Sequence, residues 1–120
     1  MEKIFINLTN HPSGKWDEKQ KMEAQKYGKI IDIPFPNVDA QATEIQVRDL
    51  GRKVVDQVMK YTPAAVLCQG ESTLTFQIIN MLMDQDVLVV AACSERIVKE
   101  IGYKKESYLN FTQFRKYTRG

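Results

Sequence analysis

Apolar and polar positions follow one another along this chain in blocks whose period switches between that of a strand and that of a helix. Residues 3–8, Lys-Ile-Phe-Ile-Asn-Leu, predict a first strand, and the charged residues 16–27 predict a helix with Gly28 as its C-cap. Residues 29–34 predict a second strand, stopped by Pro34-Phe35-Pro36. A second helix opens on Thr43-Glu44-Ile45-Gln46, a capping box in which threonine and glutamine satisfy each other's free N–H groups. Its apolar positions Val47, Leu50, Val54, Val58 and Tyr61 step by three or four, and Pro63 marks its end. Residues 64–68 form a continuous apolar run, as in a strand covered on both faces. The third helix, residues 72–83, carries Leu74, Phe76, Ile78, Ile79, Met81, Leu82 and Met83 and is apolar nearly all round. One side of it packs on the sheet, and the other needs a second subunit or the rest of its own core. Residues 87–92 predict a fourth strand. The remainder, either side of Gly102-Tyr103-Lys104-Lys105, predicts an antiparallel hairpin at the sheet edge, although residues 95–101 also read as a helical turn.

Strand and helix signals that alternate in this way argue for βαβ units. The expected fold is α/β: a single Rossmann-like domain over residues 1–120, with a mostly parallel sheet of four strands and a C-terminal antiparallel hairpin at its edge. A chain of 120 residues suffices for one core and not for two. Hydrophobic residues at 43% and charged ones at 27% fit a globular protein. No apolar run approaches the roughly 18–20 residues that span a bilayer, and the N-terminus lacks the pattern of a signal peptide. The expectation is a cytoplasmic protein with no membrane partner. Cys68 and Cys93 each end an apolar stretch, without a CxxC partner, and read as free packed thiols more readily than as a disulfide. A net charge of +2 argues against a general polyanion surface, so no stable DNA or RNA partner is expected. From Glu95 onward, seven Lys/Arg face three Glu. That is a solvated basic face or an electrostatic lip beside a phosphate-bearing ligand.

In open α/β sheets, ligands bind outside the carboxyl ends of the strands where strand order reverses. The segment after the first strand offers Thr9, Asn10, His11, Ser13 and Lys15; that after the third offers Gln69, Gly70, Glu71, Ser72 and Thr73; that after the fourth offers Ser94 and Arg96. In a 2-1-3-4 strand order these segments face one another across one crevice. Gly70 permits a sharp turn, and Ser72 or Thr73 is expected to cap the third helix, either leaving bare amides for an anion or merely serving as a good cap. Glu71 would repel a phosphate, so it suits a ribose hydroxyl, a base, or the role of general base. His11 is the only histidine. Trp16 either anchors the first helix or offers a stacking platform. Arg96 reaches the ligand or pairs with Glu95 or Glu100. The chain holds no GxGxxG, no GxxxxGK[ST], no GxSxG and no paired-histidine motif, so no cofactor and no metal are expected.

A small Rossmann-like domain with a polar loop after the first strand, the Gly70-Glu71-Ser72-Thr73 turn after the third and a terminal hairpin resembles the CRISPR-associated Rossmann fold (CARF) proteins, and among them the small stand-alone ring nucleases of type III CRISPR antiviral systems. The resemblance covers most of the chain at the level of architecture. It implies a homodimer whose paired loops bind a cyclic oligoadenylate, with Thr9, Asn10, His11 and Ser13 in one loop and Gln69, Gly70, Glu71, Ser72 and Thr73 in the other. A domain without an appended effector more naturally removes or sequesters the messenger than reports it. The leading expectation is a metal-independent ring nuclease in which the ribose 2′-OH attacks and His11 or Glu71 takes its proton. Lys15, Ser72, Thr73 or the amides of the turn would neutralise the phosphate. Two alternatives stand beside it: a non-catalytic binding module or sponge for a cyclic or other nucleotide, and a nucleoside deoxyribosyltransferase-like enzyme using Glu71. The dimer interface is expected to include some of Phe76, Ile79, Met83 and the 69–75 turn.

Overall fold

The computed structural model describes residues 2–120. In it β1 (Ile4–Leu8) pairs in parallel with β2 (Lys29–Asp32) on one side and β3 (Ala65–Cys68) on the other. Strand β4 (Val89–Ile101) runs parallel to β3, and β5 (Lys104–Lys116) returns antiparallel to β4. The sheet order is β2-β1-β3-β4-β5. Helix α1 (Glu18–Gln25) covers one face, whereas α2 (Glu44–Met59) and α3 (Ser72–Asp84) cover the other. The fold class expected from the periodicities is the one the chain adopts. No helix among the described residues is long and apolar enough to cross a membrane.

Burial explains the strand patterns. All four residues of β3 are buried, as are Phe5 to Leu8 of β1, because helices cover both sheet faces. Phe5 and Leu67 face α1 together with Trp16 and Ala24, while Ile6, Leu8 and Val66 face the α2–α3 layer. The Thr43 capping box is present, with Gln46 N–H donating to Thr43 Oγ1 at 3.2 Å and Thr43 N–H to Gln46 Oε1 at 2.9 Å. Helix α3 buries Leu74, Ile78 and Leu82, and Ile79, Met81 and Met83 pack against the same core. Its second apolar side is met largely by α2 of the same chain, leaving Phe76 exposed at 66%. Both cysteines are free; burial pushes the Cys68 thiol up to about 12, which keeps it protonated and unreactive.

Three local readings are corrected. Helix α1 starts later than residue 16, because the Asp17 side chain caps it by accepting from Gln20 N–H at 2.8 Å. Its C-cap is Lys26; Gly28 serves instead where the chain enters β2, at φ +158°, with room for a Cβ denied by the Lys3 carbonyl carbon at 2.4 Å. The fourth strand does not stop at Ala92 but runs on to Ile101, so Ser94 and Arg96 lie in a strand and not in a loop, and residues 95–101 are not helical. β-branched Ile97 and Val98 favour the extended form, and β5 supplies a partner for every residue there. The register slips once, between Cys93–Gln113 and Ser94–Phe111, leaving Thr112 as the extra residue of a bulge. Beyond it β4 and β5 form a two-stranded arm whose residues are mostly exposed.

Candidate functional site

The chain leaves β1 toward β2 on one side and later returns to place β3 on the other, so strand order reverses between β1 and β3. At the carboxyl ends of these two strands lies a cleft of about 780 Å³. Thr9, Asn10, His11 and Lys15 line it from the loop after β1, Gln69 from the end of β3, and Ser94, Leu109 and Phe111 from the root of the arm. The volume falls within the range of about 300–1,000 Å³ usual for small-molecule sites.

A buried asparagine shapes this loop. Asn7 is fully inaccessible in the middle of β1. Its Nδ2 donates to the His11 carbonyl and to Asp32 Oδ1, both at 3.0 Å, and its Oδ1 accepts from Thr9 Oγ1 at 2.8 Å. His11 N–H donates to Thr9 Oγ1 at 3.1 Å, and Trp16 Nε1 donates to the His11 carbonyl at 3.1 Å. The His11 backbone is thus held from several sides while the residue itself stays exposed at the cleft. Ser13 is not free for a ligand in this arrangement: its N–H and Oγ both reach Asp32 Oδ2 at 3.1 Å. Trp16, exposed at 4%, packs T-shaped against Phe5 with ring centres 6.4 Å apart and lines the floor of the cleft, so it anchors the loop. Gln69 accepts from Ala92 N–H at 3.0 Å and ties β3 to β4 beneath the cleft.

The turn after β3 is built otherwise than expected. Glu71, not Ser72 or Thr73, caps α3: its carboxylate accepts from Thr73 N–H at 2.7 Å and Leu74 N–H at 3.1 Å. Thr73 Oγ1 adds a further bond at 2.7 Å. The amides that a phosphate would need already hold an internal anion. These same bonds, the Thr73 hydroxyl first, hold the Glu71 carboxyl below its ordinary value. A carboxylate so satisfied is a poor proton acceptor. Gly70 fits because a Cβ there would lie 2.3 Å from the Phe35 ring, which packs under the turn. Gly70 and Ser72 open into a second hollow of about 710 Å³, shared with Phe76, Tyr117 and Arg119 on the α3 side. Thr73 lines a third, beside Ala42 and Glu44. The candidate residues therefore divide, and only Gln69 lines both of the larger hollows. Arg96 lines neither; it pairs with Leu109 one step out along the arm from Ser94.

The Glu71 cap gives a pH dependence with a definite sign. Its folded-state pKa lies below the ordinary 4.5, so its stabilisation is full above 4.5 and fades as pH falls through the lower folded value. Glu71→Ala should melt earlier than the unaltered protein at neutral pH, and the gap should close progressively in acid below 4.5. Thermal melts across that range check it; a gap that grew in acid would contradict the cap.

Asn7 and Asp32 are the site residues that loop-by-loop reading missed. The one available signal was a lone amide within an otherwise apolar strand, which needs partners if buried. Among the described residues, no three His, Cys, Asp or Glu side chains gather closely enough to hold a metal ion.

The profile of the uncharacterized protein MJ1673 family matches residues 3–115. The chain belongs to that family. The match takes in all of β1 to β4, the cleft-lining loop and nearly all of β5. No curated protein and no solved structure matches the chain.

Proposed function

We propose that this member of the MJ1673 family binds a cyclic oligoadenylate in the cleft between the β1 loop and the root of the arm, and cleaves it without a metal. The observation that carries this reading is that His11 and Lys15 line one cleft at the point where strand order reverses. The resemblance to ring nucleases supplies the ligand class.

In the proposed step the His11 imidazole takes the proton of a ribose 2′-OH, and the 2′-oxygen attacks the adjacent phosphorus. The bond from phosphorus to the 5′-oxygen breaks, that oxygen takes up a proton, and a 2′,3′-cyclic phosphate remains. Holding the hydroxyl in line supplies much of the acceleration. Lys15 and Asn10 offer charge and hydrogen bonds to the phosphate oxygens, which gain charge in the transition state. Glu71 has no part in this step, because its carboxylate caps α3. The same cap removes the free carboxylate on which the N-glycosidic reading depends.

Labelled cyclic oligoadenylates of several ring sizes, incubated with the protein in EDTA, test the proposal. The expected result is slow conversion to linear products ending in a 2′,3′-cyclic phosphate. Cleavage that required added Mg²⁺ or Mn²⁺ would overturn the mechanism, tight binding without product would leave a sponge, and release of free adenine would restore the N-glycosidic enzyme.

A further inference from the structure

Helix α1 turns one polar side chain toward the sheet. Its buried residues are Gln20 and Ala24, four apart and so on one face, and Ala24 packs with Phe5, Trp16, Leu67 and Val90. In that apolar surrounding Gln20 is exposed at only 8%. A glutamine at this place in a first turn can close a capping box, as Gln46 does by accepting the Thr43 N–H at 2.9 Å. Gln20 does not. Its backbone N–H joins the Asp17 cap, but among the described residues its side-chain amide has no hydrogen-bond partner. Nor is that amide sealed in: among the described residues, Thr75 Oγ1 is the fully enclosed side-chain atom that lacks a partner, and Gln20 lines the cleft. The amide therefore opens into the cleft. A buried amide left unbonded costs stability, so its place there calls for a partner that the chain does not supply.

We infer that Gln20 reads the base of a bound nucleotide, its Nε2 donating to a ring acceptor and its Oε1 accepting from an exocyclic amine. The inference rests on the proposed function for the identity of that base, adenine, whose edge sets an acceptor beside a donor and takes a glutamine amide in two bonds. The cleft is divided to suit a nucleotide. His11 and Lys15 are exposed at its rim, where a phosphate would lie, whereas Trp16, Leu67 and Phe111 are buried and give it an apolar floor for a flat ring. A phosphate is unsuited to the Gln20 end, because the Asp17 carboxylate lines the cleft beside it.

Calorimetric titration of the unaltered protein and of Gln20→Met tests this. The ligands are AMP and the 5′-monophosphate of purine riboside, which lacks the exocyclic amine. The unaltered protein should favour AMP at least about fivefold, the low end for an amide–adenine pair. Gln20→Met, which keeps the length and removes the amide, should bind AMP weaker by the same factor and no longer distinguish the two ligands. It should also melt no earlier than the unaltered protein, because the amide has no bond within the chain to lose. An unaltered protein that fails to bind AMP or shows no preference, or a Gln20→Met variant that keeps the preference, would overturn the inference. So would a variant that melts earlier, since the glutamine would then hold the fold. Cleavage of a cyclic oligoadenylate, followed in parallel, separates this inference from the reading beneath it. A Gln20→Met variant that binds and cleaves the ring like the unaltered protein sinks the inference and leaves the proposed function standing. Amide-dependent AMP binding with the ring left intact supports the inference and removes the nuclease.

Discussion

Replacing His11 with alanine is expected to slow cleavage of a cyclic oligoadenylate by about 10²–10⁴-fold, the usual contribution of a general base, while changing its affinity only a few fold. The backbone of His11 is fixed by groups outside its own side chain: Thr9 Oγ1 accepts its N–H, and Asn7 and Trp16 donate to its carbonyl. Truncation therefore removes the imidazole without releasing the loop, and Asn10 and Lys15 keep their places at the cleft. Lys15→Ala should lower both affinity and rate, weakening binding and its salt dependence and slowing the bound complex, because the phosphate oxygens that Lys15 faces gain charge in the transition state. Single-turnover rates in EDTA, measured beside direct binding, separate the two. A His11→Ala variant with full rate would remove the proposed base, and one that lost binding and rate together would make His11 a ligand contact instead.

The second large effect is expected at a residue that touches no ligand. Asn7→Leu should cost about 2–4 kcal/mol of stability and at least about tenfold in affinity for any cleft ligand. Asn7 is bonded to the loop at two points, Thr9 and His11, and to β2 through Asp32. Leucine fills the volume but supplies neither the donor nor the acceptor, so the loop loses its internal tether. Asn7→Asp should also be damaging despite its matched shape. It replaces a donor with an acceptor facing the His11 carbonyl, and adds a negative charge beside Asp32. Urea denaturation and ligand titration on both variants check this. An Asn7→Leu variant with the stability and affinity of the unaltered protein would show that the loop is held by other means.

The sheet and its helices were legible because their signals are local and periodic. The Val47, Leu50, Val54, Val58 stripe and the Thr43–Gln46 box need no knowledge of distant residues. The continuous run of β3 implied cover on both faces, and from it a parallel sheet with a crevice at the β1–β3 reversal. The misses share a different cause. Cys93-Ser94-Glu95-Arg96 is a polar cluster of the sort that ends a buried strand, yet in an exposed ribbon the same residues are compatible with an unbroken ladder. At the start of α3 the common preference for Ser and Thr as caps pointed past Glu71, whose longer side chain bends forward onto the same amides. The division of candidate residues among separate hollows follows from that cap and from Phe35 lying beneath Gly70. The tether between Asn7 and Asp32 joins positions 25 apart, and no local pattern announces such a pair.

The bulge at Thr112 separates where the arm points from what it presents. Phe111 and Phe114 are three positions apart, which in a regular strand would put them on opposite sides, yet their rings meet at 4.8 Å because Thr112 is left out of the pairing. A chain shortened by that one residue would keep Ser94 opposite Phe111 and every pair beyond it. The ribbon would leave the sheet with less bend and twist, however, because a bulge supplies both. Loss of a residue anywhere between Lys104 and Phe111 would act oppositely, swapping the inner and outer sides of all that follows toward the tip. Length variation is thus tolerable at one place in this ribbon: there it resets the heading, and elsewhere it rewrites the wall.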